Sequence, residues 1–301
     1  MYKRQWEDGN PDYFNIVAGV SAGTIIGNIA WGLGYFGQPH IITRFMALRS
    51  PSEAKAARRT GTIWVAICYL GGIFTALVAT VYFAQKSASV TDQSGYETVF
   101  LDLARIMFHP LIAGIVLTAV LAAIMSTMSS QLLVTSSALI EDIYRIFKKN
   151  PNNTTLLVLS RAMVIGVALI GMLLALNPSD TILGLVGFAW AGFGSAFGPV
   201  VVASLYWKRL TSQGAIAGMI VGAVTSFVWG SVDSLSGIIY EIVPGVILAT
   251  LAMVIVSLAT RPKEGVAEEF ESAAAATDYA LAHPDEDFSA ALRNREGSTA
   301  V

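Results

Sequence analysis

Seven long apolar runs constrain this chain more than any other feature: roughly residues 14–36, 62–83, 111–139, 156–176, 181–205, 215–232 and 238–258. Each is long enough to cross lipid, which takes about 20 helical residues. A water-soluble fold would have to bury them all, and the composition supplies too little polar surface for that. Only 13% of the residues are charged, 54% are hydrophobic and the mean hydropathy is +0.60. A soluble domain carries about 25% charged residues. The expected class is an all-α integral membrane protein, because helices satisfy their own backbone donors and acceptors where no water can.

Orientation follows from the basic residues of the short loops, which favour the cytoplasm. Arg49, Lys55, Arg58 and Arg59 follow the first run; Arg145, Lys148 and Lys149 follow the third. Lys208 and Arg209 follow the fifth, and Arg261 and Lys263 the seventh. The intervening loops hold little beyond Lys86 and Arg105. The expected protein is a multi-pass protein of the cell (inner) membrane with its N-terminus outside and its C-terminus cytoplasmic. Residues 1–13 then form an external segment in which Lys3 and Arg4 lead into Trp6, Glu7 and Asp8, not into the apolar core of a cleavable signal. Residues 14–259 form the membrane domain. Residues 260–301, with nine acidic and four basic side chains, form an acidic tail expected to be solvated and disordered. Residues 97–108 read as an amphipathic helix at the outer surface, with Val99, Phe100, Leu103 and Met107 on one face, serving either as a packed loop helix or as an external lid.

Several function classes fall away. A net charge of −2 gives no basic footprint for nucleic acid. Cys68, the one cysteine, excludes a disulfide framework and reads as a small core residue. No run carries Asp, Lys or Arg at its middle, and Glu241 sits near the outer mouth of the last, which argues against a proton relay. No HExxH pair is present, and His40 and His109 fall at opposite membrane faces, where neither can serve a mid-span serine. An enzyme is therefore not expected, and no cofactor is implied. The last run lacks the lysine that a retinal protein needs. A ligand receptor is not excluded by any single residue.

Two patches carry the chemistry. The first run leads into Trp31-Gly-Leu-Gly-Tyr-Phe-Gly-Gln-Pro-His40, where three glycines and Pro39 weaken the helix. Broken backbone at membrane depth lines cavities, and its free carbonyls and amides bind ions and the charged ends of substrates. Trp31 and Tyr35, four apart, would share a helical face. The plain alternative is a proline-kinked helix with packing glycines. The third run contains Ala123-Ile-Met-Ser126-Thr127-Met-Ser129-Ser130. Ala123 and Thr127 are one turn apart, so a hydroxyl would lie beside a carbonyl, with Ser126 one position round. Such neutral oxygens suit a weakly held monovalent cation such as sodium; the plain alternative is polar helix packing. Small residues at Gly19, Gly23, Gly27 and at Gly214, Gly218, Gly222 read as close helix contacts.

These motifs resemble the sodium:solute symporter family, in the version of its proline-transporting branch. The resemblance rests on residues 31–41 with Arg44-Phe-Met46, on residues 121–129 leading to Glu141-Asp-Ile-Tyr144, and on residues 189–200, and it extends over almost all of residues 13–257. It implies sodium-coupled import of proline across the membrane, by an inverted-repeat fold like that of the leucine transporter. The chain would then hold the second five-helix repeat, about residues 14–208, plus two peripheral helices within about 213–259. By the same likeness Trp31, Tyr35 and Pro39 bind proline, and sodium, the coupling ion, is held by the carbonyl of Ala123 and the hydroxyls of Ser126 and Thr127. The first repeat, needed for a complete site, is not among these residues. The expectation is a C-terminal part of a longer symporter that does not transport alone. The other readings are a symporter for another small solute and a non-transporting membrane module.

Overall fold

The computed structural model describes residues 19–85, 93–148, 152–176 and 180–283. The expected external segment 1–13, the opening of the first apolar run and the end of the tail lie outside the described residues. The described chain is built from helices: α1 (Ala22–Ala30), a 3-10 segment (Trp31–Gly37), α2 (Pro39–Met46), α3 (Ala54–Gln85), α4 (Gln93–Met107) and α5 (Pro110–Ser137). After a π-helical stretch (Ala138–Tyr144) come α6 (Asn153–Ala175), α7 (Ile182–Tyr206), α8 (Ser212–Ser231), α9 (Ile242–Ala259) and α10 (Val266–Ala282).

Among the described residues six helical stretches are long and apolar enough to cross a membrane: Pro51–Phe83, Pro110–Tyr144, Asn153–Ala175, Ile182–Tyr206, Ser212–Ser231 and Ile242–Ala259. They match the second to seventh expected runs. The first expected run is not a continuous helix. Within the described residues it consists of the nine-residue α1 and the 3-10 segment, after which Gln38 is extended, with φ −86° and ψ 111°. Gln38 takes that conformation because a residue before proline is disfavoured in the helical region. Pro39 is then the first residue of α2, where its missing N–H costs nothing.

Helix ends follow the local chemistry. Ser21, Asn152 and Thr211 are N-caps whose side chains accept from the backbone N–H groups of Thr24, Thr154 and Gly214. Three local expectations need correcting. Within the tail, expected to be disordered, Val266–Ala282 form α10 through a run of alanines and glutamates, residue types that favour helix. Cys68, expected in a core, is exposed on α3, an apolar helix nearly all of whose surface is open in this chain and suits lipid. The buried line of α4 is Leu103 and Ala104, whereas Phe100 and Met107 are exposed. One charge also lies within an apolar run: Arg161, two turns into α6.

The described residues divide into two compact units, residues 19–38 with 186–273 and residues 39–185 with 274–283. In the first, small residues let helices approach. A Cβ at Gly218 of α8 would stand 3.0 Å from Met253 Cβ and 3.2 Å from Ala249 O, both on α9. Gly214 and Gly222 meet Ser257 and Ser195 in the same way, as the glycine spacing predicts. Fully buried hydroxyls bind this seam together: Ser226 Oγ donates to Ser195 Oγ at 2.8 Å, and Thr211 N donates to Ser257 Oγ at 3.3 Å. Both of these bonds join neutral groups, which avoids the cost of burying an ion. Lys208 and Glu271 make an ion pair of 3.5 Å at the surface, of a kind that contributes little.

In the second unit, Glu97 of α4 accepts from Ile182 N at 2.8 Å and from Leu183 N at 3.4 Å. It thereby covers the N-terminus of α7 with a carboxylate, the charge that the helix dipole favours there.

Candidate substrate and sodium sites

In the first unit the 3-10 segment lies against α7, and glycine makes that possible. A Cβ at Gly194 would stand 2.7 Å from Gly34 Cα, and one at Gly34 would enter the Trp190 ring. Backbone therefore meets backbone, and aromatic side chains close around the contact. Trp31 stacks on Trp190 with centroids 5.5 Å apart and on Tyr240 with centroids 5.7 Å apart. Trp190 Nε1 donates to Trp31 O at 2.9 Å, and Tyr240 Oη donates to Gly187 O at 2.6 Å. Gln38, buried at the break, donates from Nε2 to Trp190 O at 3.2 Å. Tyr35 meets Trp190 edge-on, at 4.8 Å and 84°, and keeps 42% of its surface exposed.

Trp31 and Tyr35 thus converge on Trp190 from different directions. The shared face expected from a four-residue spacing belongs to an α-helix; in a 3-10 helix it is positions three apart that eclipse. Trp190, Tyr240 and Gln38 were not assigned to the site from sequence. Their signal was present for Gln38, inside the motif at residues 31–41, and for Trp190, inside the motif at residues 189–200, but not for Tyr240. A groove of about 270 Å³ adjoins the stack, lined by Thr24, Asn28, Trp31, Tyr240 and Glu241 among others.

Pro39 belongs to the second unit, as do Ala123, Ser126 and Thr127 on the exposed surface of α5. Hydroxyls on an apolar helix ordinarily bond back to their own backbone. Thr118 does so to Gly114 O at 2.7 Å, Ser130 to Ser126 O at 2.9 Å, and Ser129 to Met125 O. Ser126 and Thr127 hydroxyls make no hydrogen bond among the described residues, and Thr127 does not donate to the Ala123 carbonyl. Thr135 and Ser137 are likewise without one. On one exposed stretch of α5, two adjacent hydroxyls thus lie near a carbonyl one turn away, with their lone pairs unclaimed. That donor set, neutral and oxygen-only, fits a monovalent cation better than a divalent one.

The family model for the sodium:solute symporter family matches residues 7–222. The chain belongs to the sodium:solute symporter family. It is 48% identical to the high-affinity proline transporter PutP of Bacillus subtilis, over 87% of this chain and 55% of that protein. It is 46% identical to a sodium/proline symporter of Salmonella typhimurium, over 86% of this chain and 52% of the relative. To the sodium/proline symporter of Escherichia coli it is 46% identical over 81% and 49%. The chain spans about half the length of these curated relatives. No solved structure matches it. Membership in this family, together with the long apolar helices, makes the chain a multi-pass membrane protein of a transporter family rather than an enzyme.

Proposed function

We propose that this chain is the part of a sodium/proline symporter that carries one side of the substrate pocket and one side of the sodium site. The observation that supports it most is the agreement between the family motifs and the local structure at two separate places. The helix is broken just where the first motif lies, and the unclaimed hydroxyls stand at the centre of the second. The names of the relatives supply proline and sodium.

In this reading Trp31, Tyr35 and Pro39 contact proline. The broken backbone offers carbonyls and amides to its charged groups, and the aromatic rings offer an apolar wall to its pyrrolidine ring. Ala123 O, Ser126 Oγ and Thr127 Oγ1 hold sodium, an ion that must bind and then leave. Sodium raises proline affinity by linkage, and proline raises sodium affinity by the same factor. The membrane orientation has the N-terminal side outside and the tail in the cytoplasm. The helices from about residue 14 to 208 form one repeat of an inverted-repeat fold, and residues 213–259 supply peripheral helices. A complete site takes a partner repeat that these residues do not contain, so the 301 residues alone do not accumulate proline.

Uptake of labelled proline by the native gene product in membrane vesicles tests the reading. Uptake should require an inward sodium gradient and be competed by unlabelled proline. Uptake that ignores sodium, or that another small carboxylate competes better, would reject it.

A further inference from the structure

Arg44 has no place in the sites described so far. It lies in the last turn of α2, and its Nη2 donates to Ser130 Oγ on α5 at 3.4 Å. Ser130 Oγ in turn donates to Ser126 O at 2.9 Å. The two bonds run in one direction, from cation through hydroxyl to carbonyl. A cation on the oxygen of a hydroxyl makes its O–H a stronger donor, so the second bond gains from the first. Ser129 Oγ stands 3.5 Å from the same carbonyl. With that carbonyl already engaged by side chains, Ser126 has its hydroxyl left to offer an ion.

We infer that Arg44, acting through Ser130, is a positioning residue for sodium: it ties α2 to the sodium-bearing turn of α5 and sets the affinity of that turn for the ion. The inference rests on the sodium assignment proposed above. Two features of the second unit bear on it. The tie reaches Ser126 itself rather than some other point on α5. It joins that turn to α2, the helix that begins directly after the break at Gln38. Occupancy at Ser126 and the placement of α2 are thereby coupled through two hydrogen bonds.

A merely structural tie would reduce the amount or the maximal rate of the transporter and leave its sodium dependence alone. The test is therefore the sodium concentration that half-activates proline uptake by the native gene product. It is measured for Arg44→Gln, Arg44→Lys, Ser130→Ala and the Arg44→Gln/Ser130→Ala double variant, with membrane abundance followed by immunoblot. Each single loss should raise that concentration about 3- to 10-fold. The double variant should be no worse than the worse single, because both break one relay. Arg44→Lys, which keeps the charge, should recover part of the effect. Ser130→Ala is small and favours helix, so it reports even where a change at Arg44 lowers abundance. An unchanged half-activating concentration in Ser130→Ala, or multiplied effects in the double variant, overturns the relay. Ser126→Ala is run beside them: if it shifts sodium activation while Ser130→Ala does not, the relay alone fails. If Ser126→Ala shifts nothing, the sodium assignment fails first.

Discussion

Trp190 holds Trp31 twice, by ring stacking at 5.5 Å and by an indole N–H donated to the Trp31 carbonyl at 2.9 Å. The second bond is the telling one. A carbonyl has two lone pairs, and the one at the head of the 3-10 segment accepts a side-chain donor from α7 as well as bonding within the segment's own backbone. The broken stretch is thus kept in shape by a neighbouring helix.

Trp190→Phe keeps the ring and removes the donor. The expected result is a loss of about 1 kcal/mol of stability for the missing hydrogen bond. Proline affinity should fall more than maximal rate does. Thermal unfolding in detergent and proline titration of uptake by the native gene product check the two effects separately. Full proline affinity in this variant would show that the Trp31 carbonyl needs no such partner.

Gly34→Ala and Gly194→Ala each place a methyl group where backbone or an indole ring already stands. Each should cost about 1–3 kcal/mol, the usual range for overpacking. Gly32→Ala is the control, since nothing lies within 4 Å of its added Cβ. Melting temperatures of the three variants in detergent should separate the first two from the third.

The hydroxyls of α5 divide by what they bond. Thr118→Ala removes a hydroxyl that is already bonded to its own helix, and should leave the sodium dependence of uptake where it was. Ser126→Ala with Thr127→Ala removes two that make no hydrogen bond among the described residues, and should weaken sodium activation at least tenfold, about 1.4 kcal/mol or more. Sodium dependence that survives the double change would remove both residues from the site.

Glu97→Ala removes the acceptor for the N–H groups of Ile182 and Leu183, while Thr181 Oγ1 still caps Gly184 N. The expected loss is about 0.5–2 kcal/mol, the range of a helix cap. Glu97→Gln keeps an acceptor but not the charge, and should fall between the two. Equal melting temperatures for all three proteins would mean that the Glu97 carboxylate adds nothing to the cap of α7.

Much of this arrangement was legible from pattern. Six of the seven expected runs are long helices because twenty apolar residues in lipid have no better way to satisfy their backbone. The break after Gly37 followed from the glycines and from Pro39, whose ring acts on Gln38 whatever surrounds it. The glycine row at 214, 218 and 222 gave its close contacts for the same local reason. Other features were not legible. The turn type between Trp31 and Gly37 moved Tyr35 off the face it was expected to share, and no spacing rule distinguishes a 3-10 from an α-helical run of seven residues. The helix in the tail was hidden by a composition that reads as acidic and solvated.

By itself, the sequence determined that this chain crosses a membrane, where its long helices lie, where the first of them breaks, and to which family it belongs. Those properties depend on side-chain hydrophobicity and on neighbours a few residues apart. Only the tertiary structure decided that Trp190 and Tyr240 both stack on Trp31, that Ser195 and Ser226 pair in a buried seam, and that Arg44 reaches Ser130. Each of these joins residues that lie from about thirty to more than two hundred positions apart in the chain. Which of many polar and aromatic side chains meet across such distances is set by how whole helices pack, and no local period encodes it.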